Sequence, residues 1–177
     1  MSNNAFVDYL CELARRDDRG ALAHLRRGLG GPPGTAVEMF PYVVPWLPAQ
    51  GRRWQQDAHF LVAALFAMHP AHDPNIGSLG STLRRLAHAA NSEDSTERRF
   101  VALLNTHRDD LFRPLRHAVS LAKSHNVPVD YAMLLQHVQH WANEDRWVQR
   151  RWAADFWTPT RKQNDDQETD NKTTEED

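Results

Sequence analysis

Apolar residues recur along this chain at intervals of three and four, the spacing of helices that bury one side. Phe6, Leu10 and Leu13 follow it after Asn3 or Asn4. Leu22, Leu25 and Leu29 repeat it in a helix that starts near Asp17 or Asp18 and stops at Gly30-Gly31, ahead of Pro32-Pro33-Gly34. Pro41, Pro45 and Pro48 interrupt the apolar stretch around Met39 to Trp46, which predicts a short helix and a proline-bent connector. From Arg53 to His69 the pattern changes. Trp54, Ala58, Leu61, Leu65 and Met68 share one side, while Val62 and Phe66 make the other side apolar too. A helix apolar around most of its girth belongs in the middle of a bundle.

His69-Pro70 ends that helix, and 71–78 reads as a loop. Leu79, Leu83, Leu86 and Ala90 mark the next helix; Asn91, Ser92 and Ser95 supply caps for another whose apolar side is Phe100, Leu103 and Leu104. A helix from about Asp109 to His125 buries Leu111, Leu115, Ala118 and Ala122, with Pro114 in its first turns, where a missing N–H costs least. After Val127-Pro128, Asp130 caps a helix that turns Tyr131, Leu134, Leu135, Val138 and Trp141 inward. The last helix, about 144–157, presents Val148, Trp152 and Phe156 to the core. No segment alternates with period two, and no fixed repeat occurs. The predicted fold is all-α: a bundle of about eight helices spanning residues 1–157, in two lobes that meet near 91–95. Residues 158–177 hold no aliphatic or aromatic side chain and read as a solvated, disordered tail.

Composition narrows the function classes. The chain has 177 residues, enough for a sizeable core, and 41% hydrophobic residues. The longest apolar run, Phe60 to Met68, is too short to cross a membrane. Asp8 and Glu12 lie within the first apolar stretch, so no secretory leader is expected. Cys11 is the single cysteine, which excludes an internal disulfide and suits a reducing cytoplasm. The formal charge of −2 conceals an asymmetry: the tail sums to −4 and the body to +2, and every body cation except Lys123 is arginine. Arginine's planar fork matches phosphate and carboxylate.

The arginines are the informative residues. On the helix 109–125, Arg113, Arg116, Ser120 and Lys123 share one side opposite the apolar positions, a row of cations and a serine about 15 Å long. Arg26-Arg27, Arg84-Arg85 and Arg98-Arg99 each adjoin a core position, so at least one of each pair points outward. Arg52-Arg53, Arg108, and Arg146 with Arg150 add candidates. The competing reading is an ordinary charged surface bridged to Asp17, Asp18, Glu97 or Asp109. Trp157, on the side of Arg146 and Arg150, is the best candidate for an exposed aromatic, while Trp141 and Trp152 fall in the core. A second constellation, His69-Pro-Ala-His72-Asp73, has ligand types that suit zinc, nickel or manganese and would serve a metal-dependent phosphohydrolase. His137 and His140 add two imidazoles on one helix, where the competing reading is a solvent-facing polar side. Phosphate loops and nucleophile elbows are absent.

Read in order, several strings resemble the small-subunit (CasB) family of the type I-E CRISPR surveillance complex, Cascade. They are Arg19-Gly-Ala-Leu-Ala-His-Leu-Arg-Arg-Gly-Leu-Gly30, Pro41-Tyr-Val-Val-Pro-Trp-Leu47 and Phe60-Leu-Val-Ala-Ala-Leu-Phe-Ala-Met-His-Pro70. Ser95-Thr-Glu-Arg-Arg-Phe-Val-Ala-Leu-Leu104, Leu115-Arg-His-Ala-Val-Ser-Leu-Ala-Lys123 and Val148-Gln-Arg-Arg-Trp-Ala-Ala-Asp-Phe-Trp157 follow. The likeness runs from about residue 5 to 157 and leaves the tail outside. It implies a two-lobed, all-α, non-catalytic subunit without a cofactor. Two copies lie head to tail beside the other Cascade proteins and the guide RNA, and basic side chains hold the displaced single-stranded DNA. The family's basic positions map onto Arg26, Arg27, Arg98, Arg99 and Arg116, with Arg53, Arg84, Arg108 and Lys123 next. Where some relatives carry a second arginine after the position of Arg116, this chain has His117. The acidic tail repels nucleic acid and reads as a tether in solvent, or as a transient cover for the basic face. A pure protein-interaction module, its arginines meeting acidic partner surfaces, is the third reading.

Overall fold

The structure is a computed structural model that describes residues 3–89 and 93–158. Nine α-helices occur among the described residues: α1 (Asn3–Arg15), α2 (Arg19–Arg26), α3 (Phe40–Val43), α4 (Arg53–Met68), α5 (Leu79–Ala89), α6 (Glu93–Leu104), α7 (Phe112–Ser124), α8 (Tyr131–Gln139) and α9 (Trp147–Trp157). The all-α expectation holds, with one helix more than about eight. The sole extended pairing among these residues is an isolated bridge between His72 and Val129. No described helix is long and apolar enough to cross a membrane. Asn91 and Ser92, expected as caps, lie outside the described residues, as do part of the expected lobe junction and the tail beyond Thr158.

Every residue of α4 from Ala58 to Ala67 is buried. Such a helix must be wrapped, and α1, α2, α3, α7 and α8 all pack against it. The helices around it carry the ordinary amphipathic pattern. Asp18 caps α2 by accepting the Ala21 N–H at 2.9 Å, and Asp130 caps α8 by accepting that of Met133 at 3.0 Å.

Helix ends differ from the sequence reading where tertiary contacts intervene. The second helix tightens into a 3-10 turn over Arg27–Gly30, with Gly28 seated against Met39 and Ala64. The helix expected from Asp109 begins as a 3-10 turn, Arg108–Asp110, before α7. The last helix starts at Trp147 instead of 144, because Arg146 adopts a left-handed backbone (φ 51°).

The same core continues into a close junction of α5 with α9. The Cα of Gly80 lies so near the Trp152 backbone that a β-carbon there would sit 2.1 Å from the Trp152 carbonyl oxygen. Trp152 is fully buried, and its indole N–H donates to Nδ1 of buried His137 at 2.7 Å. That bond requires an unprotonated Nδ1. Burial, reinforced by Arg151, lowers the His137 pKa to about 4. The sequence reading of His137 as solvent-facing is thereby corrected: α9 covers it. His140, one turn on, is exposed as expected.

Two outcomes follow for stability. Gly80→Ala, which drives a methyl into backbone, lowers unfolding free energy by about 1–3 kcal/mol in urea titrations. Gly30→Ala, at a position with nothing within 4 Å, changes it little. Because His137 titrates lower in the folded chain than its ordinary 6.5, its contribution is complete above pH 6.5 and is lost as pH falls toward 4. The loss is on the order of 2 kcal/mol. A non-titrating His137→Asn chain shows a flatter pH profile of urea midpoints.

Candidate nucleic-acid interface

Helix α7 buries Leu115, Val119 and Ala122 and turns Arg113, Arg116, His117, Ser120 and Lys123 outward. The predicted row of cations is therefore a real exposed face. Helices α6 and α7 both pack on α5 without packing closely on each other. The space between them stays open as a groove of about 810 Å³. Leu83, Phe100 and Leu103 give it an apolar floor, and Arg99 from α6 and Arg116 and His117 from α7 stand along it with Ser120 and Ser124. Two arginines 17 positions apart in sequence thus line one channel.

Arg116 extends the basic surface further. Its Nη1 donates to the Leu29 carbonyl at 2.8 Å, tying α7 to the 3-10 turn that begins with Arg27 and follows Arg26. Arg26 keeps its Nε on the Leu22 carbonyl of its own helix (3.2 Å) and remains exposed. Arg27 pairs with Glu38 at 2.6 Å. Exposed pairs of this kind are worth about 0–1 kcal/mol, so Glu38 holds Arg27 only weakly.

A separate cluster forms at the start of α4. The guanidinium carbons of Arg52 and Arg108 lie 4.9 and 5.0 Å from the Trp54 ring centroid. Arg53 reaches Asp57 at 3.8 Å, and Arg108 reaches Asp109 at 3.2 Å. Burial pushes the Asp57 carboxyl up, against the pull of Arg53 and Arg108. Trp54, read from sequence as a core position, is half-buried instead and carries these cations. Its place beside Arg52-Arg53 was the signal available in sequence.

The remaining candidates do not line the groove. Arg98 faces a shallow hollow with Asp94, Glu97 and Val101, its Nε on the Asp94 carbonyl at 3.3 Å. Arg84 donates to the Thr158 carbonyl at the end of α9. Lys123 is exposed one turn beyond Ser120 on α7 and makes no ion pair among the described residues; nor does Arg99. Arg146, named beside Arg150, is committed to the Leu104 carbonyl at 2.7 Å. Trp157 is exposed, as expected, with its ring 5.3 Å from that of Phe100.

The histidine constellation is built for docking two loops. His69 Nε2 donates to the Val127 carbonyl at 2.8 Å. His72 Nδ1 lies 3.1 Å from the Val129 carbonyl and 3.2 Å from the Tyr131 nitrogen. Asp73 accepts the Asn75 N–H at 2.9 Å in a local turn. Among the described residues no group of three or more His, Cys, Asp or Glu side chains is placed to hold a metal ion. The geometry gives the proposed His69/His72/Asp73 ligand set a structural occupation in place of convergence.

Comparison with known proteins agrees with this architecture. Residues 21–157 match the family model for CRISPR-associated protein Cse2. A Cse2 protein of Thermus thermophilus is 38% identical over 156 residues, covering 86% of this chain and 88% of its own. The crystal structure of CasB from Thermus thermophilus superposes with a TM-score of 0.77 at 36% identity, covering 90% of this chain and all of that one. A chain of a CRISPR RNA-guided surveillance complex superposes with a TM-score of 0.75 at 26% identity, over 87% of this chain and 90% of its own.

Proposed function

Since the chain belongs to the Cse2 (CasB) family of CRISPR-associated proteins, we propose that it is a non-catalytic subunit of a type I-E Cascade complex that holds the displaced DNA strand. The observation that carries this reading is the groove in which Arg99 and Arg116 stand together, continued through the Arg116–Leu29 tie to Arg26 and Arg27. Lys123 extends that surface along α7. The Trp54 cluster with Arg53 and Arg108 is a second contact point, and Arg84 and Arg98 are peripheral ones. Sequence plays no part in such binding: the groups on offer are guanidiniums, which suit phosphate and carry no base readout when they contact the backbone.

The energetics fit the task. Opening a target duplex is a near-balanced exchange of one duplex for another, and modest contacts to the freed strand tip it. A few neutralised phosphates supply that bias in a salt-sensitive form. Within the assembly the chain adjoins the guide RNA, other Cascade proteins and a second copy placed head to tail. The exposed apolar side chains Val37, Phe40 and Val44, three residues on one stretch, suit contact with a neighbouring protein.

Isolated protein is expected to bind oligo-dT weakly and without sequence preference. Changing Arg27, Arg99 and Arg116 together to Glu weakens binding on the order of tenfold at low salt and flattens the salt slope by about 2, at roughly 0.7 for each phosphate no longer neutralised. Circular dichroism checks that the helices persist. Affinity indifferent to salt overturns the reading. Target-duplex opening by the assembled complex, measured with and without this chain, tests the role in place.

A further inference from the structure

We propose that the acidic segment 159–177 docks into the α6/α7 groove of its own chain and competes there with nucleic acid. Three observations support it. The first is where the described chain stops. Arg84 of α5 holds the Thr158 carbonyl, and its neighbour Leu83 lines the groove; the Trp157 ring lies 5.3 Å from Phe100, which lines it too. The segment therefore starts beside α6, the helix that carries Arg99 and forms one wall of the groove.

The second is charge. The last twenty residues carry seven carboxylates against three cations and no aliphatic or aromatic side chain, so they offer a polyanion and little else. The groove presents Arg99 and Arg116, with Lys123 one turn beyond Ser120. These cations lie on surfaces free of ion pairs among the described residues, and carboxylates fit guanidiniums as phosphates do.

The third is reach. Asp165 to Asp170 follow Thr158 by seven to twelve residues, about 23–40 Å of extended chain, against about 20 Å for the length of α7. A short tether holds its end at an effective concentration in the millimolar range. A contact of only millimolar intrinsic affinity is then occupied about half the time. Exposed charges at this range are screened at high salt, so the docking fades as ionic strength rises. In the assembled complex a nucleic-acid strand, carrying more charge along its length, displaces the segment, which acts as a filter against weak and adventitious polyanions.

The inference rests on the proposed function only for the identity of the competitor, and two measurements on the full chain separate the two. In the first, Asp165, Asp166, Asp170 and Asp177 are changed to Asn, and Glu168, Glu175 and Glu176 to Gln. This chain binds oligo-dT about two- to tenfold tighter than the parent at low salt, and the two converge at high salt. In the second, a nitroxide on Asp170→Cys in a Cys11→Ser background broadens the side-chain N–H signals of Arg99 and Arg116, and salt reverses the broadening. Oligonucleotide binding that is unaffected by neutralisation, together with no broadening at the groove, overturns the docking and leaves the strand-holding role standing. Broadening at Arg99 and Arg116 without oligonucleotide binding by either chain keeps the docking and overturns the role. Broadening centred on the Trp54 cluster, or only between different molecules, also overturns the docking.

Discussion

Burial of α4 on every side is the constraint from which the molecule follows. Ten successive residues, Ala58 to Ala67, are out of solvent. No single partner can cover a helix apolar around its girth, so five other helices are drawn onto it. Each of those needs only one apolar side, which leaves its other side polar and outward. The arginines are a consequence of this division. They adjoin core positions in sequence and lie outside them in space, as Arg26 and Arg27 do beside Leu25 and Arg116 beside Leu115.

The groove has a different origin. Helices α6 and α7 are both seated on α5, itself pressed against α9 through the glycine contact at Gly80. Two helices fixed to a third need not meet, and here the gap between them is lined from below by Leu83, Phe100 and Leu103. Placement of Arg99 and Arg116 thus depends on the seat that α5, braced by α9, gives to α6 and α7. Arg116 is further held by a backbone carbonyl, so its charge is positioned without being neutralised. A fixed positive charge therefore stands at the groove.

Polar groups that look chemical in sequence serve packing in three dimensions. Tyr131 donates to the His69 carbonyl at the end of α4, while His69 and His72 fasten 127–131 to the loop beyond it. His137 receives the indole of Trp152 and so joins α8 to α9. Each is a buried or half-buried polar group given a partner, as the low dielectric of a core demands. The identity of a histidine carries little information about its task; its partners carry nearly all of it.

The amino-acid sequence by itself determined the helices, their apolar sides, the central place of α4, a start for α2 near Asp17 or Asp18, the cap Asp130, and the outward row on α7. These are local matters, set by a 3.6-residue period and by side chains that satisfy nearby backbone groups. The ordered strings of the chain also carried the family likeness. Only the tertiary structure decided which arginines meet. Arg116 finds Leu29 across 87 residues, Trp54 is flanked by Arg52 and the distant Arg108, and the adjacent Arg98 and Arg99 part company, one beside Asp94 and Glu97 and the other in the groove. Periodicity fixes the direction of a side chain about its own axis, but not which other axis lies across from it. That choice is made by the close packing of whole helices, to which single contacts such as Gly80 on Trp152 contribute as much as any pattern.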